Sequence, residues 1–294
     1  MLTYEEEIQL GISVIIPTYN REEALKIVLP LYSKQKNVEE IIIIDDGSDP
    51  PISQEISNVS HLITVHRSQH RGLTAARNTG ITLAKGEYIF FGEDDGYPAE
   101  GVFERLMHTL NNESMISAVG CRAVYLEKGE IVNKNPRDQI LCSGVPFNVQ
   151  ILDFDNTSAF DNTVEVPYMT PWALIRREIF KNVAFDEKIA GNFYREETDF
   201  WLQANRAGYR LLYDPQAVMI HIRTDQGGCH TQSRLLYEWW CLRNTLYVYQ
   251  KHANYLRQSW NYRGSPIISS LVYSMLRLMK LLKTKVRAAF GQSH

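Results

Sequence analysis

An apolar run that ends in three consecutive acids sets the strongest limit on how this chain can fold. The run is Tyr88–Phe91, bounded by glycines, and the acids are Glu93-Asp94-Asp95. Its length suits a short buried strand, which places the acids at the strand's carboxyl end, where open α/β sheets bind ligands. Clustered carboxylates suit Mg²⁺ or Mn²⁺ bridging a diphosphate, although an isolated acidic triplet is more often a solvated acidic turn.

The segments before the triplet alternate between strand and helix patterns. β-Branched residues dominate 12–16 and 41–44, with helical spacing of apolar residues over 22–32 between them. A third apolar segment at 62–65 precedes a helical pattern over 73–84. Strand, helix and strand at this spacing predict right-handed βαβ units in a parallel sheet. The polar loops that follow the strands should therefore lie along one edge of that sheet.

Composition indicates an ordinary globular protein. The chain has 294 residues, of which 44% are apolar and 22% charged, enough for one large domain or two small ones. A net charge of -3 argues against a nucleic-acid binder. Four cysteines without CxxC spacing (Cys121, Cys142, Cys229 and Cys241) predict a reducing, cytoplasmic location. Neither a signal peptide nor a membrane-spanning stretch is predicted.

Five sequence blocks, in order, closely resemble those of family 2 glycosyltransferases. They are VIIPTYNR at 14–21, IDDGSD at 44–49, RGLTAARNTG at 71–80, GEYIFF at 86–91 and EDD at 93–95. The resemblance covers about residues 11–225 and implies the GT-A fold, an α/β fold with a Rossmann-like, mostly parallel sheet flanked by helices. It implies a catalytic domain over 1–225, with a nucleotide-binding half at 11–100 and an acceptor-binding half at 101–225. Residues 226–294 are expected to form a helical extension.

The resemblance implies a nucleotide-sugar site at the strand ends. Tyr19 stands where an aromatic residue packs on the base, and Asp45-Asp46 stand where acids hold the base and ribose. Arginine suits the diphosphate because its guanidinium offers paired donors, although Arg71 and Arg77 would equally suit surface salt bridges. The full predicted donor set is Pro17, Thr18, Tyr19, Arg21, Asp45, Asp46, Arg71, Arg77 and Asp94.

The resemblance also implies a metal site. Asp95 matches the metal ligand of the DXD motif, and Glu93 stands where the family more often has Asp. His221, at the end of the predicted last strand, is the third candidate ligand. The expected ion is Mn²⁺ or Mg²⁺.

A second acidic cluster, Glu196-Glu197 with Asp199, resembles the family's ED-x-D block at the start of a helix. Glu197 takes the place of the catalytic Asp that removes a proton from the acceptor hydroxyl in an inverting transfer, and Glu196 is the other candidate base. Acids in a first helical turn also interact favourably with the helix dipole, which is the alternative explanation. Trp172 and Asp199 are the predicted acceptor contacts.

The C-terminal segment predicts an amphipathic helix over 266–290 that lies on a membrane surface. Its apolar face comprises Ile268, Leu271, Val272, Met275, Met279, Leu282 and Val286, opposite Arg277, Lys280, Lys283 and Arg287. The alternative is that the apolar face packs on the catalytic domain or on a second subunit. A hairpin turn is predicted at 128–130, and a glycine-rich loop over the donor at 225–230.

The sequence thus predicts a metal-dependent, inverting glycosyltransferase that moves a sugar from a UDP-sugar to a hydroxyl of a saccharide or lipid-linked acceptor. Cell-envelope polysaccharide or glycolipid synthesis, on the cytoplasmic face of the membrane, is the expected context. Two alternatives stay open: a nucleotidyltransferase, and a catalytically silent sugar-nucleotide-binding scaffold. The oligomeric state is left open.

Overall fold

The computed structural model describes residues 9–126, 145–159, 161–222 and 233–290. The first range contains β1 (Gln9–Thr18), α1 (Glu22–Ser33), β2 (Val38–Asp45), β3 (Ile63–Arg67), α2 (Leu73–Leu83), β4 (Gly86–Phe91), β5 (Gly96–Pro98), α3 (Val102–Asn112) and β6 (Ile116–Leu126). The later ranges contain β7 (Phe147–Asn148), β8 (Asp153–Phe154), β9 (Val164–Glu165), β10 (Ala173–Arg176), α4 (Glu196–Arg206), β11 (Arg210–Ile222), α5 (Arg234–Ser259) and α6 (Pro266–Phe290). The predicted hairpin turn at 128–130, the glycine-rich segment 225–230, Cys142 and Cys229 lie outside the described residues.

A nine-stranded sheet organises the molecule, in the order β3-β2-β1-β4-β10-β6-β11-β5, with β9 paired to β11. The strands β3, β2, β1 and β4 are parallel to one another, and so are β6 and β11. Because β10 is antiparallel to both β4 and β6, these two parallel groups run in the same direction. The prediction of a mostly parallel α/β sheet is confirmed.

Two hydrophobic cores, one on each face, hold the helices against the sheet. In β1 the side chains alternate, since Val14 and Ile16 pack toward α1 and α3 whereas Ile15 packs toward α2, α4 and α5. Both faces are therefore buried, which explains the continuous β-branched runs of the central strands. The register pairs Thr18 of β1 with Asp45 of β2, so the loops after these strands begin side by side.

The helix α5 belongs to the same packed body as the catalytic region. Its residues Val248, Tyr249, Ala253 and Leu256 join the core that contains α2 and α4. The predicted boundary at 225/226 lies outside the described residues, but the packing shows that α5 shares the core of the segments before it. Within the part of the chain that the structure describes, every helix is too short or too polar to cross a membrane.

The helix α6 packs on α5 with its polar face inward. Ser269, Ser270 and Tyr273 are buried, whereas Leu271 and Met275 are each 54% exposed. The whole outward stripe comprises Ile267, Ile268, Leu271, Val272, Met275, Leu276, Leu278, Met279 and Leu282. Within the described residues, the apolar face of α6 therefore does not pack on the catalytic domain.

Candidate donor and metal site

A cavity of about 480 Å³ opens at the carboxyl edge of the parallel strands. Seven of the nine predicted donor residues line it, and so do all three predicted metal ligands. These lining residues are Pro17, Thr18, Tyr19, Arg21, Asp46, Arg77, Asp94, Glu93, Asp95 and His221. The cavity is where the fold predicts ligand binding in an open α/β sheet.

The first helix and the acidic triplet meet through Arg21. This residue stands at the start of α1, and its Nη1 lies 3.0 Å from Oδ1 of Asp94 and 2.6 Å from Oδ2 of Asp95. The hydroxyl of Thr18 donates to the other oxygen of Asp94 at 2.9 Å. Burial raises the pKa of Asp94 to about 6, with the charge and hydrogen bond of Arg21 opposing the rise. Arg21 thus offsets part of the negative charge at the cavity.

Glu93, Asp95 and His221 form a set that can hold a cation. One potential ligand atom from each lies within 4.8 Å of the others, and His221 Nε2 is 3.4 Å from both Glu93 Oε2 and Asp95 Oδ1. The antiparallel pairing of β5 with β11 brings them together, since Gly96 is the register partner of His221. Burial and then repulsion from Asp95 raise the pKa of Glu93 to about 8.

This set passes a chemical test for a divalent ion. Two carboxylates and one imidazole are ligands that Mn²⁺ accepts, and Mg²⁺ shares the carboxylate preference. Among the described residues, Oε2 of Glu93 is buried without a hydrogen-bond donor, and burial and then repulsion from Asp95 outweigh the charge of Arg77 in raising the pKa of Glu93. A bound cation would give this oxygen a partner, so Glu93, Asp95 and His221 fit the metal that the sequence predicts.

The two acids after β2 differ in their surroundings. Asp45 is 1% exposed, does not line the cavity, and accepts from the backbone N–H groups of Ser48 at 2.8 Å and Ile52 at 3.3 Å. Asp46 lines the cavity while accepting from the backbone N–H groups of Arg71 and Gly72 at 2.9 and 2.8 Å. Asp45 therefore shapes the turn, and Asp46 fixes the loop before α2 at the cavity edge.

Sequence reasoning missed His70. Its ring stacks on Tyr19 with centroids 4.2 Å apart and an angle of 24° between the planes. Its Nδ1 lies 2.9 Å from the carbonyl oxygen of Asp46 and 3.0 Å from Oδ2 of the same residue. The only sequence signal was its position in the polar loop just before the RGLTAARNTG block. The two rings form one aromatic wall at the mouth of the cavity.

A buried ion pair links α2 to the second acidic cluster. Arg77 Nη1 donates to Oε1 of Glu196, and the two side chains are 2% and 4% exposed. The guanidinium lies 5.5 Å from the ring centre of Phe91 and 5.1 Å from that of Phe185. Burial raises the pKa of Glu196 to about 8; Arg77 opposes the rise and the neighbouring Glu197 adds to it.

Arg77 lies between the two acidic clusters. Its charge lowers the pKa of Glu93 as well as that of Glu196, and its side chain lines the cavity. Glu197 is half-buried and follows Glu196 in the first turn of α4. Neither glutamate lines the cavity itself, whereas Asn192 and Phe193, in the segment that leads into α4, do.

Three further predicted contacts, Arg71, Trp172 and Asp199, do not line the cavity. Arg71 is 60% exposed, and its Nη2 forms a salt bridge with Glu187 at 2.6 Å. This is the surface salt bridge that was the alternative to diphosphate binding. Trp172 is buried beneath the metal set, with its ring centre 5.8 Å from that of His221. It supports the cluster from the core and does not line the cavity.

Asp199 requires a correction of its predicted role in acceptor binding. It is fully buried, and its carboxylate contacts Lys251 Nζ and His252 Nε2 of α5, each at 2.8 Å. Gln203 donates to it at 2.8 Å as well. With these three partners, the carboxylate joins α4 to α5 and is closed to an acceptor.

The family of the chain follows from its sequence. Residues 13–184 match the profile of glycosyl transferase family 2. The chain belongs to this family. The GT-A resemblance of the sequence is thereby confirmed, and the fold described above is that of a family 2 glycosyltransferase.

Known proteins agree with this assignment. The glycosyltransferase EpsJ of Bacillus subtilis (strain 168) is 28% identical over 208 residues, which are 68% of this chain and 57% of that protein. The structure of S. aureus TarS 1-349 in complex with UDP-GlcNAc superposes with a TM-score of 0.58 at 16% identity, over 90% of this chain and 70% of TarS 1-349. GalNAc-T7 with UDP, GalNAc and Mn²⁺ gives 0.57 at 20% identity, over 82% and 48%. The chain thus spans little more than half the length of EpsJ, and the structural likenesses show the fold.

Proposed function

We propose that this family 2 glycosyltransferase moves a sugar from a nucleoside diphosphate sugar, a UDP-sugar, to an acceptor hydroxyl with inversion at the anomeric carbon. The observation that carries the proposal is the meeting of two acidic clusters around Arg77: the set Glu93, Asp95 and His221 on the cavity side, and Glu196-Glu197 behind it. Group transfer from a diphosphate needs a site for charge at the leaving group and a base at the acceptor, and the two clusters supply them.

The donor would occupy the 480 Å³ cavity. The aromatic wall of Tyr19 and His70 offers a ring face to a nucleobase. Arg77 and Arg21 are the cations among the lining residues that the diphosphate would approach. The neighbouring fold of TarS with UDP-GlcNAc supports a UDP-sugar in this position. We place the donor-binding half at residues 11–100 and the acceptor-binding half at 101–225.

Glu93, Asp95 and His221 would hold Mn²⁺ or Mg²⁺. When bound, such an ion neutralises charge on the departing diphosphate. Arg21 holds Asp95 and Asp94 in place from the other side, so that Asp95 presents its Oδ1 toward His221. The Mn²⁺ in the GalNAc-T7 structure supports a divalent ion in this fold.

Glu197 is the proposed base. The acceptor oxygen bonds to the anomeric carbon as its proton passes to the Glu197 carboxylate, and the bond to the diphosphate oxygen breaks with its electron pair on that oxygen. Glu196 is less suited, because Arg77 engages one oxygen and burial favours its protonated form. Half-buried Glu197 is the more accessible of the two.

The acceptor would be a saccharide or a lipid-linked sugar of a cell-envelope polysaccharide or glycolipid. The outward apolar stripe of α6 supports a membrane surface as the meeting place. The segment 266–290 contains five Lys or Arg residues and no acid, in a chain whose net charge is -3, which favours anionic lipid on the cytoplasmic face.

The test is nucleotide release from a panel of UDP- and GDP-sugars, with Mn²⁺, Mg²⁺ or EDTA. Metal-dependent release of UDP and transfer to added saccharide or polyprenyl-linked acceptors are the expected results. Pyrophosphate formed from a nucleoside triphosphate and a sugar 1-phosphate would instead establish nucleotidyl transfer. Donor binding without transfer or hydrolysis would identify a silent scaffold.

A further inference from the structure

The segment that leads into Glu196 has an unusual backbone. Phe193 and Arg195 have φ values of 54° and 76°, in the left-handed region that side chains disfavour, and Gly191 has 76°. A non-glycine residue in that region is sterically strained, so the surroundings must stabilise the segment. Arg195 is the N-cap of α4, and its conformation sets the direction in which Glu196 and Glu197 leave the loop.

α5 holds the first part of this segment. The side chain of Asn192 donates to the carbonyl of Tyr237 at 3.0 Å and to Sγ of Cys241 at 3.2 Å. A Cβ atom at Gly191 would meet the ring of Trp240 at 2.1 Å, so the backbone lies directly on that ring. This contact fixes the segment as far as Asn192.

α6 holds the rest, together with α5, through the guanidinium of Arg195. This side chain is 5% exposed, and its Nε lies 3.5 Å from the hydroxyl oxygen of Thr245 in α5. Its Nη1 donates to the carbonyl of Leu152, and its Cζ lies 4.9 Å from the ring centre of Tyr194 and 4.4 Å from that of Tyr273. Two aromatic faces therefore stabilise a buried cation, and one of them belongs to α6.

A second contact from α6 strengthens the first. The hydroxyls of Tyr273 and Tyr194 are hydrogen-bonded to each other. Arg277 Nη1 lies 3.4 Å from the Tyr194 hydroxyl, and Arg277 is itself anchored to α5 by bonds to Glu238 at 3.1 and 3.2 Å. The polar face of α6 thus reaches the residues just before the two glutamates.

We propose that Tyr273 and Arg277 are positioning residues of the active site: Tyr273 holds Arg195, Arg277 holds the neighbouring Tyr194, and together they aim Glu196 and Glu197. The proposal rests on the glycosyl transfer proposed above. α6 is then part of the catalytic machinery, and the helix whose outer face suits a lipid surface is the helix that fixes the acceptor-side acids. Contact of α6 with a membrane would stabilise the geometry that transfer needs.

The physical link is tested by hydrogen exchange on the full chain without ligands. Tyr273→Leu removes both the ring face and the hydroxyl, so amide protection over 191–199 should fall. Tyr273→Phe keeps the ring and should give a smaller loss. Leu271→Ala, on the outward face of the same helix, is the matched control and should leave the segment unchanged. Unaltered exchange over 191–199 in both Tyr273 variants would overturn the proposal.

The kinetic consequence is a change in turnover without a change in donor binding. Tyr273→Leu should lower kcat about a hundredfold, because misplacement of a catalytic group by about 1 Å costs that much. Tyr273→Phe should recover most of it, and the Kd for UDP should change less than about twofold. A parallel loss of UDP binding, or wild-type kcat in a folded Tyr273→Leu variant, would contradict positioning. If the wild type transfers no sugar, but Tyr273→Leu still loses amide protection over 191–199, the result would instead refute glycosyl transfer.

Discussion

The two acidic clusters around Arg77 are built in opposite ways. Glu93 and Asp95 lie at a strand edge, face an open cavity, and have His221 beside them. Glu196 lies behind Arg77 in the core, in a segment pinned by α5 and α6. The first cluster faces a cavity that a ligand can enter, whereas Glu196 of the second cluster is buried against Arg77. This difference is expected of a site where one side receives a charged donor and the other must aim a base.

The largest expected effect is on turnover in the second cluster. Glu197→Gln removes the proposed base and should lower kcat about a thousandfold, within the range for general base catalysis, while UDP affinity stays unchanged. Glu197→Asp, which restores the residue usual in the family, should keep measurable transfer. Steady-state kinetics and UDP titration measure both quantities. If Glu197→Gln keeps a kcat near that of the wild type, another group must be the base.

Loss of the cation shared by the clusters should strongly affect stability. Arg77→Met leaves the buried Glu196 carboxyl without its donor and should lower the free energy of unfolding by about 2 kcal/mol, the cost of an unsatisfied buried polar group. Adding Glu196→Leu should return part of that loss. Arg210→Met, which removes an exposed pair with Glu165, should cost less than about 1 kcal/mol. Urea titration measures the free energy of unfolding of each variant. Equal losses in Arg77→Met and Arg210→Met would show that the buried Arg77–Glu196 pair contributes no more than a surface ion pair.

The second cluster should also give stability a pH dependence. Burial raises the pKa of Glu196 from 4.5 to about 8, so in that interval the folded protein holds a proton that the unfolded chain has released. Stability therefore falls as pH rises from about 5 to about 8. Glu196→Gln should make this decline shallower, whatever its effect on stability at one pH. Thermal unfolding at several pH values measures the slope, with the exposed Glu165→Gln as control; an unchanged slope would contradict the assignment.

The smallest expected effect on stability comes from the outer face of α6. Leu271→Ser with Met275→Ser should change the free energy of unfolding by less than about 0.5 kcal/mol, since both side chains are 54% exposed. The same double substitution should abolish cosedimentation of the protein with vesicles that contain anionic lipid. Ile27→Ser, at a 57% exposed position on α1, should leave vesicle binding intact. Failure of the wild type to bind such vesicles would refute the membrane contact.

The sequence predicted the first cluster far better than the second, for a physical reason. Strand periodicity and the polar residues after each strand place Thr18, Asp46 and the triplet at one edge, because parallel strands end together. The family resemblance singled out His221, although its place beside Glu93 depends on the antiparallel pairing of β5 with β11.

Longer-range packing decided what the sequence could not. Asp199 resembles an active-site acid by its position in the sequence, but Lys251 and His252 of α5 bond to its carboxylate. These partners are more than fifty residues away, so no local sequence pattern could reveal them. Arg77 and Glu196 are 119 residues apart in the chain. The sequence also left open which face of α6 packs on the protein, because helical periodicity gives two faces and does not say which one packs.

The most direct test of the central claim is isothermal titration of UDP and GDP, with and without Mn²⁺, into the wild type and into Asp95→Ala. The structure places Asp95 with Glu93 and His221 at the cavity, so UDP should bind the wild type with Mn²⁺ and bind weakly or not at all without it. Asp95→Ala should lose the metal-dependent part of the binding. Metal-independent binding that Asp95→Ala leaves intact, or no binding of either nucleotide under any condition, would contradict the account.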